Sequence, residues 1–131
     1  MTAFDRDHYE ALVHRYFLAV DEERIEDVVD CFTEDASMRF AFMDAPVQGR
    51  EALRQLFTAH VARFRTHIDI ATRVLVQGDR AISEIVFDAE TPDGRRVHLE
   101  NCNVYRFRDG KFHEVMVYLD TVNMARLMGD A

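Results

Sequence analysis

Asn101 and Asn103 stand two positions apart in the stretch Leu99-Glu100-Asn101-Cys102-Asn103-Val104-Tyr105. In an extended chain that spacing puts both amides on one face, between Leu99 and Tyr105. Buried amides need partners. They bond to helix ends and ordered water, or they aim donors at a ligand carbonyl. Tyr16 lies on an apolar helical stripe, as a core tyrosine with a satisfied hydroxyl or as a ligand-facing one. His60 shares a helix face with Leu53, Leu56, Phe57, Val61 and Phe64, the place of a core histidine or of one lining a pocket. His67 alternates with Ile68 and Ile70; if the isoleucines face in, it faces out unless a bulge turns it back. Asp21 heads the acidic run Asp21-Glu22-Glu23 at the end of a helix.

Other chemistries lack their residues. No His/Cys/Asp spacing matches a zinc site, and there is no G-x-S-x-G nucleophile turn. The glycines Gly49, Gly78, Gly94, Gly110 and Gly129 are too dispersed to cradle a phosphate. Neither metal nor cofactor is expected. With 16 basic and 24 acidic side chains the net charge is 16 − 24 = −8, which opposes binding to nucleic acid and to anionic membranes. Cys31 and Cys102 read as free thiols. No apolar signal segment opens the chain and no run of 18 apolar residues could span a membrane, so the expected location is cytoplasmic.

The positioning elements follow from periodicity over the 131 residues, read as one domain covering 1–131. Tyr9, Leu12, Val13, Tyr16, Phe17 and Val20 mark a first helix, and Ile25, Val28, Val29 and Phe32 a short second one that Thr33 to Ala36 ends. Ser37 to Met43 is expected to be a short strand containing Phe40. A third helix follows Gly49 and carries Phe57 and His60 inward. After Arg65 the period drops to two, which predicts strands at 66–77, 80–90, 95–107 and 111–120 and a closing helix from Val122 to Met128. Thr91-Pro92-Asp93-Gly94 predicts a type I turn with Gly94 left-handed, which pairs Glu90 with Arg96 and Asp88 with His98. The opposite face then holds Ser83, Ile85 and Phe87 beside Leu99, Asn101, Asn103 and Tyr105. In the last strand Val115, Val117 and Leu119 alternate with polar neighbours. The class is therefore α+β, with three helices over one face of a long sheet that must curve. Its concave side exceeds what the helices fill, leaving an apolar pocket for a small hydrophobic ligand.

The stretches Leu12 to Asp21, Cys31-Phe32-Thr33-Glu34-Asp35-Ala36, Gly49-Arg50-Glu51-Ala52-Leu53, Asn103 to Phe107 with Asp109-Gly110-Lys111-Phe112, and Tyr118 to Asn123 resemble the nuclear-transport-factor-2-like superfamily. Within it the chain is similar to SnoaL-like and ketosteroid-isomerase-like proteins. The resemblance implies a cone-shaped fold and a homodimer through the outer sheet face. It also implies roles. Tyr16 falls on the oxyanion tyrosine of ketosteroid isomerases and Asn103 on their oxyanion acid. Phe40 occupies the place of their general base, and Phe32 and Phe57 that of their helper tyrosines. In the scytalone-dehydratase-like branch His67 matches the catalytic histidine, Asp21 its aspartate partner, and Asn101 an active-site asparagine. Val20 and Phe40 replace that branch's tyrosines, and Ser83 and Ile85 sit near its second histidine. The acid of limonene-epoxide-hydrolase-like enzymes falls on Val117.

The resemblance thus supports a cofactor-free dehydratase or isomerase acting on a hydrophobic cyclic or polyketide-like carbonyl compound. His67 and Asp21 would move the proton, and Tyr16, Asn101 and Asn103 would hold the oxygen. The alternatives are a non-catalytic binder of a small hydrophobic ligand and an interaction module whose pocket has collapsed.

Overall fold

The computed structural model describes the backbone of residues 3–128 and the side chains of 5–126. Helices α1 (Ala3–Asp21) and α2 (Ile25–Asp30) precede β1 (Phe32–Phe40) and β2 (Val47–Gln48). Then come α3 (Arg50–Ala62), β3 (Thr66–Gln77), β4 (Arg80–Glu90), β5 (Arg96–Arg108), β6 (Lys111–Tyr118) and α4 (Thr121–Met128). The six strands form one mixed sheet in the order β2-β1-β6-β5-β4-β3. Only the β1–β6 pairing is parallel. The sheet is open, and the helices cover its concave face.

The hairpin chemistry sets the register. Thr91 N–H donates to the Arg95 carbonyl at 2.8 Å, and Gly94 takes φ +89°, a conformation glycine adopts without strain. Glu90 therefore faces Arg96 and Asp88 faces His98, as the turn sequence predicts. Asp109 (φ 53°) and Gly110 (φ 78°) are both left-handed, as a two-residue turn between β5 and β6 requires.

The second helix is shorter than its apolar pattern suggests. It stops at Asp30, and Phe32 starts a strand rather than ending a helix. Phe32 is fully buried opposite Phe112. Its carbonyl accepts two bonds from the Arg50 guanidinium, at 3.0 and 2.6 Å, so α3 helps hold β1 extended.

Curvature comes from irregularities in the ladders. Between β3 and β4 the pairing runs Gln77↔Arg80 to Arg73↔Glu84, then resumes as Ala71↔Ile85 and Asp69↔Phe87, with Thr72 as the extra residue. Such a bulge bends the strand and inverts which side chains face inward beyond it. Here it turns His67, Asp69 and Ala71 toward the helices. Ile68 and Ile70 are exposed, so the arrangement with the isoleucines facing in is not the one adopted.

The main core joins α1 and α3 to the sheet, through Leu12, Val13, Phe32, Leu53, Tyr105 and Phe112. A second cluster of Phe87, Ala89, Val97 and Leu99, with Phe64 and Met124 against it, lies apart from the first. Space is left between them.

Candidate functional site

That space is a cavity of about 460 Å³, within the range of sites that enclose a drug-sized ligand. Aromatic and aliphatic side chains form most of its wall. It reaches solvent past Phe42, Ala59 and Arg63, which line it and are exposed.

Of the residues singled out from sequence, Tyr16, Phe40, Phe57, His60, Leu99, Asn101, Asn103, Val117 and Leu119 line the cavity. Val115 does not; it is buried in the core between sheet and helices. His67 and Asp21 are outside the lining as well, and they do not form the hydrogen-bonded pair that the dehydratase resemblance implies. The His67 side chain is 2% exposed, and its Nε2–H donates to Glu23 Oε1 at 2.8 Å. Its Nδ1 is buried without a partner among the described residues. Glu23 presents that carboxylate from a left-handed turn (φ 57°) between α1 and α2. Asp21 accepts the backbone N–H of Asp69 at 2.8 Å.

Asp69 is the acid that the sequence reading did not single out. It lines the cavity from β3, half-buried, and its carboxylate has no hydrogen-bond donor among the described residues. Burial, and secondarily the negative charge of Asp21, push it from the ordinary 3.8 up to about 7. The Asp21 carboxyl is itself raised by burial, partly offset by the bond from the Asp69 N–H and by His67.

Tyr16 stands close enough to feel the charge of Asp69. Its ring is walled by Phe17, Phe32, Phe57 and Phe112, with centroids 4.7 to 5.8 Å away. Burial raises its pKa well above the ordinary value, so the hydroxyl stays a donor. It has no hydrogen-bond partner among the described residues. Asn101 Oδ1 accepts the backbone N–H of Asp120 at 3.2 Å. That bond fixes the amide and leaves its NH2 group unengaged by any described residue. Asn103 is spent otherwise: its Nδ2 donates to the Tyr105 hydroxyl at 3.3 Å, and its Oδ1 is buried without a partner. Tyr105 also bonds Ser83 Oγ at 2.7 Å, which makes a polar brace behind Asn103. His60 lines the wall near Phe64 and Phe87, and burial first, then His67 and Arg63, lower it to about 4, so it is neutral at pH 7. Among the described residues no group of three or more His, Cys, Asp or Glu could hold a metal ion. No described helix is long and apolar enough to cross a membrane.

An open, curved sheet wrapped by helices around an apolar cavity defines a small-molecule pocket protein of the nuclear-transport-factor-2-like class. Residues 13–115 match the SnoaL-like domain, and the chain belongs to that family. No curated protein matches the sequence. Among solved structures, TsrD from Streptomyces laurentii superposes with a TM-score of 0.84 at 18% identity, over 96% of this chain and 98% of that one. An LEH-like epoxide hydrolase from M. tuberculosis gives 0.78 at 18% identity, over 91% of this chain and 88% of that one. The epoxide hydrolase/cyclase-like enzyme SalBIII, described in pyran ring formation in the polyether salinomycin, gives 0.79 at 21% identity, over 90% of this chain and 94% of that one. At these identities the likeness is one of fold.

Proposed function

We propose that the protein is a cofactor-free proton-transfer enzyme, a dehydratase or isomerase, acting on a hydrophobic cyclic or polyketide-like carbonyl compound held in this cavity. The observation that carries the reading is Asp69: an ionisable group in an apolar cavity, with a pKa of about 7 and no competing partner. A carboxyl poised there can take a proton and return it at neutral pH. In the forward step the Asp69 carboxylate removes a proton from the carbon next to the substrate carbonyl. The bonding pair moves toward the carbonyl oxygen, which accepts a hydrogen bond from the Tyr16 hydroxyl. Asp69 then returns the proton to the γ-carbon of a β,γ-unsaturated substrate, giving the conjugated isomer, or to a departing β-hydroxyl, releasing water and leaving a double bond. Asn101 lies two strands away from Asp69, on the order of 10 Å. It is suited to orienting a second polar group of the substrate.

In this reading His67 and Asp21 act behind the reacting acid. Asp21 holds the backbone of Asp69, and His67 ties the α1–α2 turn to β3. The relatives described as an epoxide hydrolase and as an epoxide hydrolase/cyclase-like enzyme support small-molecule chemistry in such a cavity. The experiment is α-proton exchange in D2O across a panel of hydrophobic cyclic ketones and hydroxyketones, followed by mass spectrometry. Asp69→Asn should reduce exchange about 10²- to 10⁴-fold, and Tyr16→Phe should reduce it with little loss of stability. Exchange unaffected by Asp69→Asn removes the reading. Retention of a compound with no exchange would make the cavity a binding site.

We also propose that two copies pair through the outer sheet face. Leu75, Ile82, Val104 and Met116 lie in one cross-strand row there, and Leu75 and Ile82 are exposed, as are Ile68 and Ile70. That much exposed aliphatic surface on one face favours a covered one.

A further inference from the structure

Among the described residues, Arg63 is the only lysine or arginine that lines the cavity. It caps the C-terminal end of α3, is exposed, and lies one helical turn beyond Ala59 on the same rim. Among the described residues no carboxylate or carbonyl engages its guanidinium. Several other arginines of this acidic chain are engaged, Arg54 with Glu26 and Glu51, Arg106 with Glu114 and Arg50 with the Phe32 carbonyl. Two polar poles therefore face one apolar volume, Asp69 within it and Arg63 at its rim. The Arg63 charge acts on His60, and Asp69 is raised by burial and by Asp21. With His60 neutral, the rim holds one unspent positive charge on a molecule of net charge −8.

We propose that the natural ligand is an apolar ring compound bearing a carboxylate-like anionic group at one end, and that Arg63 pairs with that group at the rim while the ring lies in the cavity. The proposal rests on the proton-transfer reading for the role of the buried end, and it names the substrate class: a hydrophobic keto or hydroxy acid rather than a neutral ketone. Guanidinium suits this task because it offers a planar pair of donors to a carboxylate and stays charged at every working pH. The anion also fixes orientation. Repulsion from Asp69 keeps it at the rim, which directs the other end of the ring toward Tyr16.

The test uses 2-naphthoate and its uncharged amide, 2-naphthamide, titrated calorimetrically into the full chain at pH 8. A charge-assisted pair at the rim should make naphthoate bind about tenfold tighter or more. Arg63→Gln should abolish that preference with the amide affinity unchanged, and Arg63→Lys should keep part of it. Raising the salt concentration should erode it. Equal binding of the two probes, or a naphthoate preference that survives Arg63→Gln, overturns the proposal. So does an Arg63→Gln variant that loses helix stability but keeps the preference, since Arg63 would then serve only the end of α3. Failure of the proton-transfer reading looks different: Asp69→Asn leaves turnover intact while the naphthoate preference stands.

Discussion

Replacing Asp69 by asparagine should make the protein more stable, and only at neutral and alkaline pH. The native carboxyl titrates at about 7, against 3.8 in the ordinary case. Between those values the folded chain keeps a proton that the unfolded chain has released. Stability therefore falls as pH rises from about 4 to 7, and the whole loss is present above the native value. Roughly three pKa units at about 1.36 kcal/mol each give a ceiling of ~4 kcal/mol. The cavity is open to solvent on one side, so about 2–4 kcal/mol is the expected gain for Asp69→Asn at pH 8.5. At pH 4.5 the gap should shrink to about 1 kcal/mol or less. Urea unfolding of both proteins at the two pH values measures this, with equal m-values as the control. A gap that does not change with pH would refute a buried, proton-retaining Asp69.

Asp21→Asn keeps an oxygen to accept the Asp69 N–H but removes a like charge, so the pH midpoint of turnover should move below that of the wild type; an unmoved midpoint would detach Asp21 from Asp69. Leu53, fully buried between α3 and the core, should cost about 2–5 kcal/mol when cut to alanine, read by denaturant unfolding. Ile82→Glu, in the exposed aliphatic row of the outer face, should convert a dimer to monomer in sedimentation velocity without lowering the melting temperature.

The sheet was legible in the chain because its turns carry their own chemistry. Pro92-Asp93-Gly94 sets the β4–β5 register, and with it the inward face bearing Ile85, Phe87, Leu99, Asn101 and Asn103. The α2–β1 boundary was less legible, because Phe32 fits the end of an apolar helix pattern as well as the start of a buried strand. What hid Asp69 was one residue. Counting back from Gly78-Asp79 without a bulge pairs Asp69 with Asp88 on the outer face. The extra residue at Thr72 shifts the partner to Phe87 and turns Asp69 inward. Ordinary patterning sends Ile68 and Ile70 to the core, and here the outer face is aliphatic too, so alternation could not choose between the faces. His67 and Asp21 were singled out as a proton-transfer pair, but both lie outside the cavity lining, bonded to Glu23 and to the backbone of Asp69.

The ionisation of Asp69 is the most direct measure of its proposed proton-transfer role. Carbon-13 NMR of the labelled Asp69 carboxyl, assigned through Asp69→Asn, should titrate near pH 7 and shift when a ring ligand enters the cavity. A midpoint below about 5, the range of ordinary solvated carboxylates, would contradict it.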